Sequence, residues 1–358
     1  MLNNFSKANR WLDICRASAI LLVLLSHGRR LLFPIFPDAQ FLKFGGFLGV
    51  EIFFVLSGFL IGSILIDKST SSESHWCWIP HFWGRRFLRT YPNYFLFLFL
   101  NWLVIDTWRP ESMPDLWHYM TFTQSLLVAH PSFFGEAWSL VIEEIFYFIV
   151  PIIMYIVWRT SAIQALLNTL FICLASSLIM RIALVYSEPD LTFNQVRSTA
   201  LLRLDSIMIG VLTSYCYYHC KLWRDILIKV APGLSLLMIP VIYIAMQPDE
   251  FMDESFILKV FLFPVANIAA AGLLVIGIGW NVSDLAYNLV RPVARWSYSA
   301  YLINLLVLSM MNFYLPAVTA GTALVYWTGF LLITLTFSGI VYNFFERKVL
   351  LLRDNWIK

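Results

Sequence analysis

Residues 49–60 read Gly49-Val50-Glu51-Ile52-Phe53-Phe54-Val55-Leu56-Ser57-Gly58-Phe59-Leu60, an apolar run broken by one carboxylate. The apolar stretch extends on both sides, from about residue 44 to residue 66, long enough to cross the roughly 30 Å of a bilayer's hydrocarbon as a helix. Two features of this run set the reading of the whole chain. It is too apolar for a surface helix of a soluble domain. It also carries an ionisable group that lipid alone would not tolerate, so part of its surface must face protein or a polar cavity.

The composition outside the run agrees. Of 358 residues, 59% are hydrophobic and 13% charged, and the mean hydropathy is +0.72. An ordinary soluble domain carries about twice that charged fraction. Further apolar runs lie near 11–32, 87–106, 136–157, 163–186, 199–219, 225–246, 257–279, 296–315 and 322–344. Together with 44–66 they predict an all-α integral membrane bundle of about ten transmembrane helices, because a backbone in hydrocarbon must satisfy its own hydrogen bonds. Arg181, Arg203 and Asp205 interrupt two of these runs. With the N-terminus cytoplasmic, the inner segments hold most of the Lys and Arg, including Lys7, Arg10, Arg85, Arg86, Arg89, Arg291, Arg295, Arg347 and Lys358. The outer segments hold Arg29, Arg30, Lys43, Arg109, Arg197 and Lys259. An even number of spans then places both termini in the cytoplasm. No internal repeat or appended soluble segment is visible, so residues 1–358 are expected to form a single transmembrane domain. The first apolar run lacks a small-residue cleavage site and reads as a retained helix. The five cysteines lie mostly in apolar runs and suggest no disulfide framework and no metal site.

The polar groups inside the runs carry the chemistry. Arg16 and His27 are eleven residues apart, about three helical turns, and so share a face. His27 falls in the outer part of the first span. Glu51 lies near the outer end of the second. Glu143 and Glu144 lie in Ala137-Trp138-Ser139-Leu140-Val141-Ile142-Glu143-Glu144-Ile145-Phe146-Tyr147, whose span also enters from outside. The expectation is one outer layer in which a carboxylate orients His27 as a base towards a hydroxyl. A structural ion pair with arginine is the competing use of Glu51 and of the glutamates. On the cytoplasmic side stands Phe82-Trp83-Gly84-Arg85-Arg86-Phe87-Leu88-Arg89-Thr90-Tyr91-Pro92. Arg85, Arg86 and Arg89 converge if helical, and guanidinium forks match phosphate. They also suit an ordinary positive-inside anchor or an anionic-lipid contact.

These segments, in order, resemble the acyltransferase-3 family of integral membrane acyltransferases. Arg203-Leu204-Asp205 with Gly210, Ser297-Tyr298-Ser299-Ala300-Tyr301-Leu302, and Glu346-Arg347 extend the resemblance over nearly the whole chain. The resemblance implies transfer of an acyl group, commonly acetyl, from cytosolic acetyl-CoA or another acyl-CoA to a hydroxyl of a carbohydrate or lipid-linked glycan in the cell envelope. O-antigen and exopolysaccharide are examples. It implies a multi-pass protein of the bacterial inner (plasma) membrane, surrounded by lipid, with no metal and no nucleic-acid partner. On this resemblance His27 looks like the catalytic residue, with Arg16 on its face, Glu51 and Glu143 as supporting acids, and Arg85, Arg86 and Arg89 as the donor-binding set. One departure stands out: many members have His where this chain has Asn304, which can hydrogen-bond but cannot take a proton near neutral pH. A proton-coupled transporter or flippase of a polar envelope precursor would use the same His–carboxylate layer as a relay, but leaves the arginine cluster unexplained.

Overall fold

The computed structural model describes residues 10–70, 76–108, 114–159 and 161–356. Lys7, Arg109 and Lys358, counted above for orientation, lie outside these residues. In chain order the helices are α1 (Arg10–Gly28), α2 (Lys43–Thr70), α3 (Trp78–Trp108), α4 (Leu116–Met120), α5 (Ala137–Val157), α6 (Ala162–Ser187), α7 (Phe193–Ser198), α8 (Leu204–Tyr218), α9 (Lys221–Leu236), α10 (Met238–Met246), α11 (Asp249–Asp253), α12 (Phe256–Gly277), α13 (Asp284–Tyr314), α14 (Ala323–Val341) and α15 (Arg347–Trp356). A π-helical turn over Tyr342–Glu346 joins α14 to α15. Among the described residues there is no strand.

Seven helical stretches are long and apolar enough to cross a membrane: 10–32, 37–70, 137–157, 162–187, 221–246, 256–277 and 323–356. The chain is a multi-pass membrane protein. Helices also occupy the other three expected spans, but outside this set. α8 has only 15 residues after a 3-10 turn at Ala200–Arg203. α3 and α13 carry buried polar side chains, among them Asn93 and Asn101 in one and Ser297, Ser299 and Asn304 in the other. The stretch expected at 225–246 is two helices. Pro240 has no N–H to donate to the carbonyl four residues back and its ring crowds that turn, which accounts for the break after Leu236.

α2 is the axis of the bundle, packed against α1 along its first half and α8 along its second. Small residues make both crossings close. A Cβ on Gly45 or Gly49 would fall 2.4 Å from the Leu22 carbonyl oxygen or 2.5 Å from that of Ala19, both in α1. A Cβ on Gly58 would meet the Ile207 carbonyl at 2.0 Å, and one on Gly210 would meet the Val55 carbonyl at 2.3 Å. Glycines four apart on a helix allow backbones to approach to van der Waals contact, the usual route to tight packing where lipid supplies no hydrophobic drive.

The charges that interrupt the expected spans are paired. Arg203 is fully buried, and its Nη2 donates to both oxygens of Glu51 at 2.7 Å. Its guanidinium also lies over the Phe263 ring at 3.9 Å. Arg181, equally buried, binds both oxygens of Asp205, at 3.2 and 2.7 Å. Ser206 accepts from Arg203 and from Asn267 of α12, so α2, α6, α8 and α12 are tied through one polar knot. Replacing one member of such a pair leaves the other charge buried and alone, at a cost of about 3–5 kcal/mol. Arg203→Met should therefore sharply lower the thermal midpoint of the detergent-solubilised protein, and the double replacement Glu51→Leu with Arg203→Leu should recover much of that loss. Equal loss in the single and double variants would show that the pair is not coupled.

Candidate functional site: two cavities along one helix

The knot takes up Glu51, which does not line the cavity that holds His27. The expected outer layer of His27, Glu51 and Glu143 is not formed as drawn: Glu51 is bound by Arg203, and Glu143 faces a different cavity. The reason is local. Burial of an arginine on the 3-10 turn before α8 requires a carboxylate opposite, and Glu51 supplies it.

Two cavities lie along α1, termed outer and inner after the orientation expected from the sequence. The outer one, about 200 Å³, is lined by His27, Arg29, Lys43, Glu136, Trp138, Phe193, Arg197 and Tyr301, among others. The inner one, about 530 Å³, is lined by Arg16, Ser57, Arg86, Arg89, Glu143, Tyr147, Arg295, Tyr298, Glu346 and Arg353, among others. Val50 and Tyr301 line both, so these two residues form a common wall. Arg16 and His27 thus belong to opposite cavities although they share one helix, at a separation of about 16 Å along its axis.

At the outer cavity, His27 Nδ1 hydrogen-bonds the side-chain oxygen of Asn304 on α13. Asn304 Nδ2 donates to the carbonyls of Ala300 and Tyr301, at 3.2 and 2.6 Å. Both amide hydrogens are thereby committed, and the oxygen left for His27 can only accept. Nδ1 therefore carries a proton, and in the neutral imidazole this leaves Nε2 with its lone pair. Asn304, noted above as a departure from the resemblance, is thus the hydrogen-bond partner of His27. Arg197 donates to the Gly46 carbonyl at 2.7 Å and stacks over Trp138 at 4.8 Å. Lys43 pairs with Asp249 at 2.8 Å at the cavity wall, and Arg29 donates to the Ser26 carbonyl.

At the inner cavity, Arg16 pairs with Asp13 at 2.8 Å. Arg86 lies over the rings of Phe82 and Tyr147, and its Nε has no hydrogen-bond partner among the described residues. Arg89 also lines this cavity, but Arg85 does not: its Nη2 reaches Asp354 of α15 at 3.0 Å. Because α3 starts at Trp78, all three arginines are within the helix; Arg85 lies about 40° around it from Arg89 and about 100° from Arg86, and its side chain is drawn to Asp354. Tyr147 donates to Glu143 at 3.1 Å and pairs with Ser57 at 2.7 Å. Glu144 is buried and does not line this cavity. Glu346, in the π-helical turn, accepts from Ser299 at 2.7 Å and Asn93 at 3.2 Å.

Three participants escaped the sequence reading. Arg295 and Arg353 add charge to the inner cavity, but from sequence they are indistinguishable from anchors of the positive-inside kind. Glu136 stands at the boundary of a predicted span, where a carboxylate is unremarkable; only its depth in the structure separates it from a surface residue. Among the described residues no three His, Cys, Asp or Glu side chains gather as a metal site would require.

The geometry can be set beside known proteins. The chain is 25% identical over 373 residues to the O-acetyltransferase OatA of Staphylococcus aureus, an alignment covering 94% of this chain and 56% of that protein. It is 32% identical over 131 residues to the peptidoglycan O-acetyltransferase OatA of Listeria monocytogenes, covering 32% of this chain and 21% of that protein. The chain spans about half the length of the Staphylococcus relative it matches along most of its own length. No solved structure matches it. Residues 9–343 match the family described as the acyltransferase domain, and the chain therefore belongs to the acyltransferase-3 family.

Proposed function

We propose that this protein is an O-acetyltransferase of the bacterial inner membrane that moves acetyl from cytosolic acetyl-CoA to a hydroxyl of a cell-envelope carbohydrate. The observation that carries the proposal is the pair of cavities back to back on α1, one walled by arginines and the other holding a histidine of set tautomer. The relatives' names, both O-acetyltransferases and one of peptidoglycan, support the acyl group and the acceptor class. In this reading all ten helical positions cross the bilayer and both termini are cytoplasmic. That puts Arg86 and Arg89 on the donor side and His27 on the outer side.

The inner cavity fits a phosphate-bearing donor. Arg16, Arg86, Arg89, Arg295 and Arg353 line it, with Glu143 and Glu346 as its carboxylates, and the buried Nε of Arg86 lacks an acceptor. Phosphate oxygens would supply that acceptor. The donor brings an acyl group on a thioester, which is already activated towards attack by oxygen. What the chain adds is placement and proton handling. His27 Nε2 takes the proton of the acceptor hydroxyl as the oxygen attacks the acyl carbon, and returns it to the departing sulfur. Asn304 holds the ring and its tautomer. Glu143, hydrogen-bonded by Tyr147 beside Arg86 and Arg89, balances the arginine charge. Glu51 acts at one remove, by holding Arg203, whose Nη1 reaches the Arg197 carbonyl at 3.4 Å at the edge of the outer cavity.

Three outcomes are expected of the purified protein with labelled acetyl-CoA and envelope glycan. His27→Ala should lower kcat by about 10²–10⁴-fold, the usual worth of a positioned general base, with acetyl-CoA binding retained. Proton-coupled flux without acyl transfer by the wild type would instead favour a transporter. Arg86→Ala and Arg89→Ala should each raise the KM for acetyl-CoA about 10- to 100-fold, as loss of a charge-assisted hydrogen bond predicts, while Arg85→Ala should change it far less. A similar rise in all three would place Arg85 in the donor site after all. Asn304→Leu should lower kcat about 10- to 100-fold by releasing the tautomer of His27, with little change in either KM; an unaltered kcat would remove Asn304 from the mechanism.

A further inference from the structure

Glu136 closes the loop before α5 and is 2% exposed. Its Oε1 accepts the Leu305 N–H at 3.3 Å, and its main-chain carbonyl accepts the Tyr301 hydroxyl at 3.2 Å. These two bonds clasp α13 on either side of Asn304. Its second oxygen, Oε2, has no hydrogen-bond partner among the described residues. A buried carboxylate oxygen without a donor is costly, and native structures seldom leave one so without a use. Of the cations that share its cavity, Arg29 donates to the Ser26 carbonyl, Lys43 pairs with the Asp249 carboxylate, and Arg197 donates through Nη2 to the Gly46 carbonyl, its Nε having no hydrogen-bond partner among the described residues.

The outer cavity therefore offers two acceptors on different helices, His27 Nε2 and Glu136 Oε2, beside the aromatic faces of Trp138 and Phe193. Two acceptors call for two donors on one molecule. We infer that the outer cavity binds its acceptor through two neighbouring hydrogen-bond donors of one sugar ring: the reacting hydroxyl at His27, and a second hydroxyl or amide N–H at Glu136, which makes Glu136 a specificity-determining residue. The aromatic walls suit the apolar faces of such a ring. This rests on the reading of the outer cavity as the acceptor site.

The test uses the full chain in detergent, acetyl-CoA, and as probes a soluble oligomer of N-acetylglucosamine with its singly deoxygenated and de-N-acetylated, N-blocked analogues. Glu136→Gln keeps an oxygen for the Leu305 N–H but turns the free position into a donor. It should raise the KM for the oligomer about tenfold or more, with the KM for acetyl-CoA unchanged. In the wild type, one analogue lacking a single donor should show the same rise, and Glu136→Gln should be insensitive to that deletion. An unchanged oligomer KM in Glu136→Gln, or a wild type indifferent to every single deletion, overturns the inference. If the variant does not fold, the wild-type analogue series decides alone. Failure here with His27→Ala inactive leaves the acyltransferase reading standing, whereas an active His27→Ala removes the reading on which both rest.

Discussion

Burying an arginine in a membrane bundle imposes the strongest constraint in this fold. Arg203 has no exposed surface, and only a carboxylate in direct contact makes that position tenable. Glu51 must then lie opposite the start of α8, which sets the rotation of α2. With α2 so turned, Gly58 faces Gly210 and Gly45 and Gly49 face α1, and the helices close to backbone contact. Arg181 and Asp205 repeat the device one helix away, and Asn267 joins α12 through Ser206. The ion pairs are less a source of net stability than a register. A slipped or rotated helix would strand a charge, so few alternative packings compete.

That register positions the chemistry. α1, pressed on α2 by the glycine contacts, carries Arg16 into one cavity and His27 into the other. α13 meets α1 where Asn304 reaches His27 and, lower down, lines the inner cavity with Ser297 and Tyr298. The same helix thus sets a proton's place on the outer side and helps shape the arginine-rich chamber on the inner. Polar residues keep α3 and α13 below the apolarity of a simple span, and Asn93, Ser297, Ser299 and Asn304 among them face a cavity or the hydrogen-bond network beside it.

Much of this was legible in the chain itself. Helical class and most helix positions follow from apolar length, because hydrocarbon permits few other backbones. The opposed placement of His27 and of Arg86 and Arg89 follows from topology. What could not be read was pairing. Glu51, Glu143 and Glu144 look alike in sequence, yet Glu51 pairs with Arg203, Glu143 lines the arginine cavity and Glu144 lines neither, while Glu136, at a span boundary, lines the histidine cavity. Which face a residue presents depends on a rotation set by distant partners. Arg85, only about 40° around α3 from Arg89, is taken up by Asp354 of α15, a partner that spacing does not reveal. Asn304 looked like the loss of a titratable group, and its contact with His27 became visible only once α13 lay against α1.

The wall of Val50 and Tyr301 has an electrical meaning. A membrane that holds a potential charges about 2.3 kcal/mol for each elementary charge carried across 100 mV. On the proposed reading the phosphates of the polyanionic carrier stay on the side of its arginines while its thioester meets the acceptor at the wall; the acetyl goes to the hydroxyl oxygen as that hydroxyl's proton goes to the sulfur, and no net charge crosses. The field then does no work on the moving group, in either direction. On that reading the envelope is modified from cytosolic stock across a partition of Val50 and Tyr301 with no net charge moved through the field.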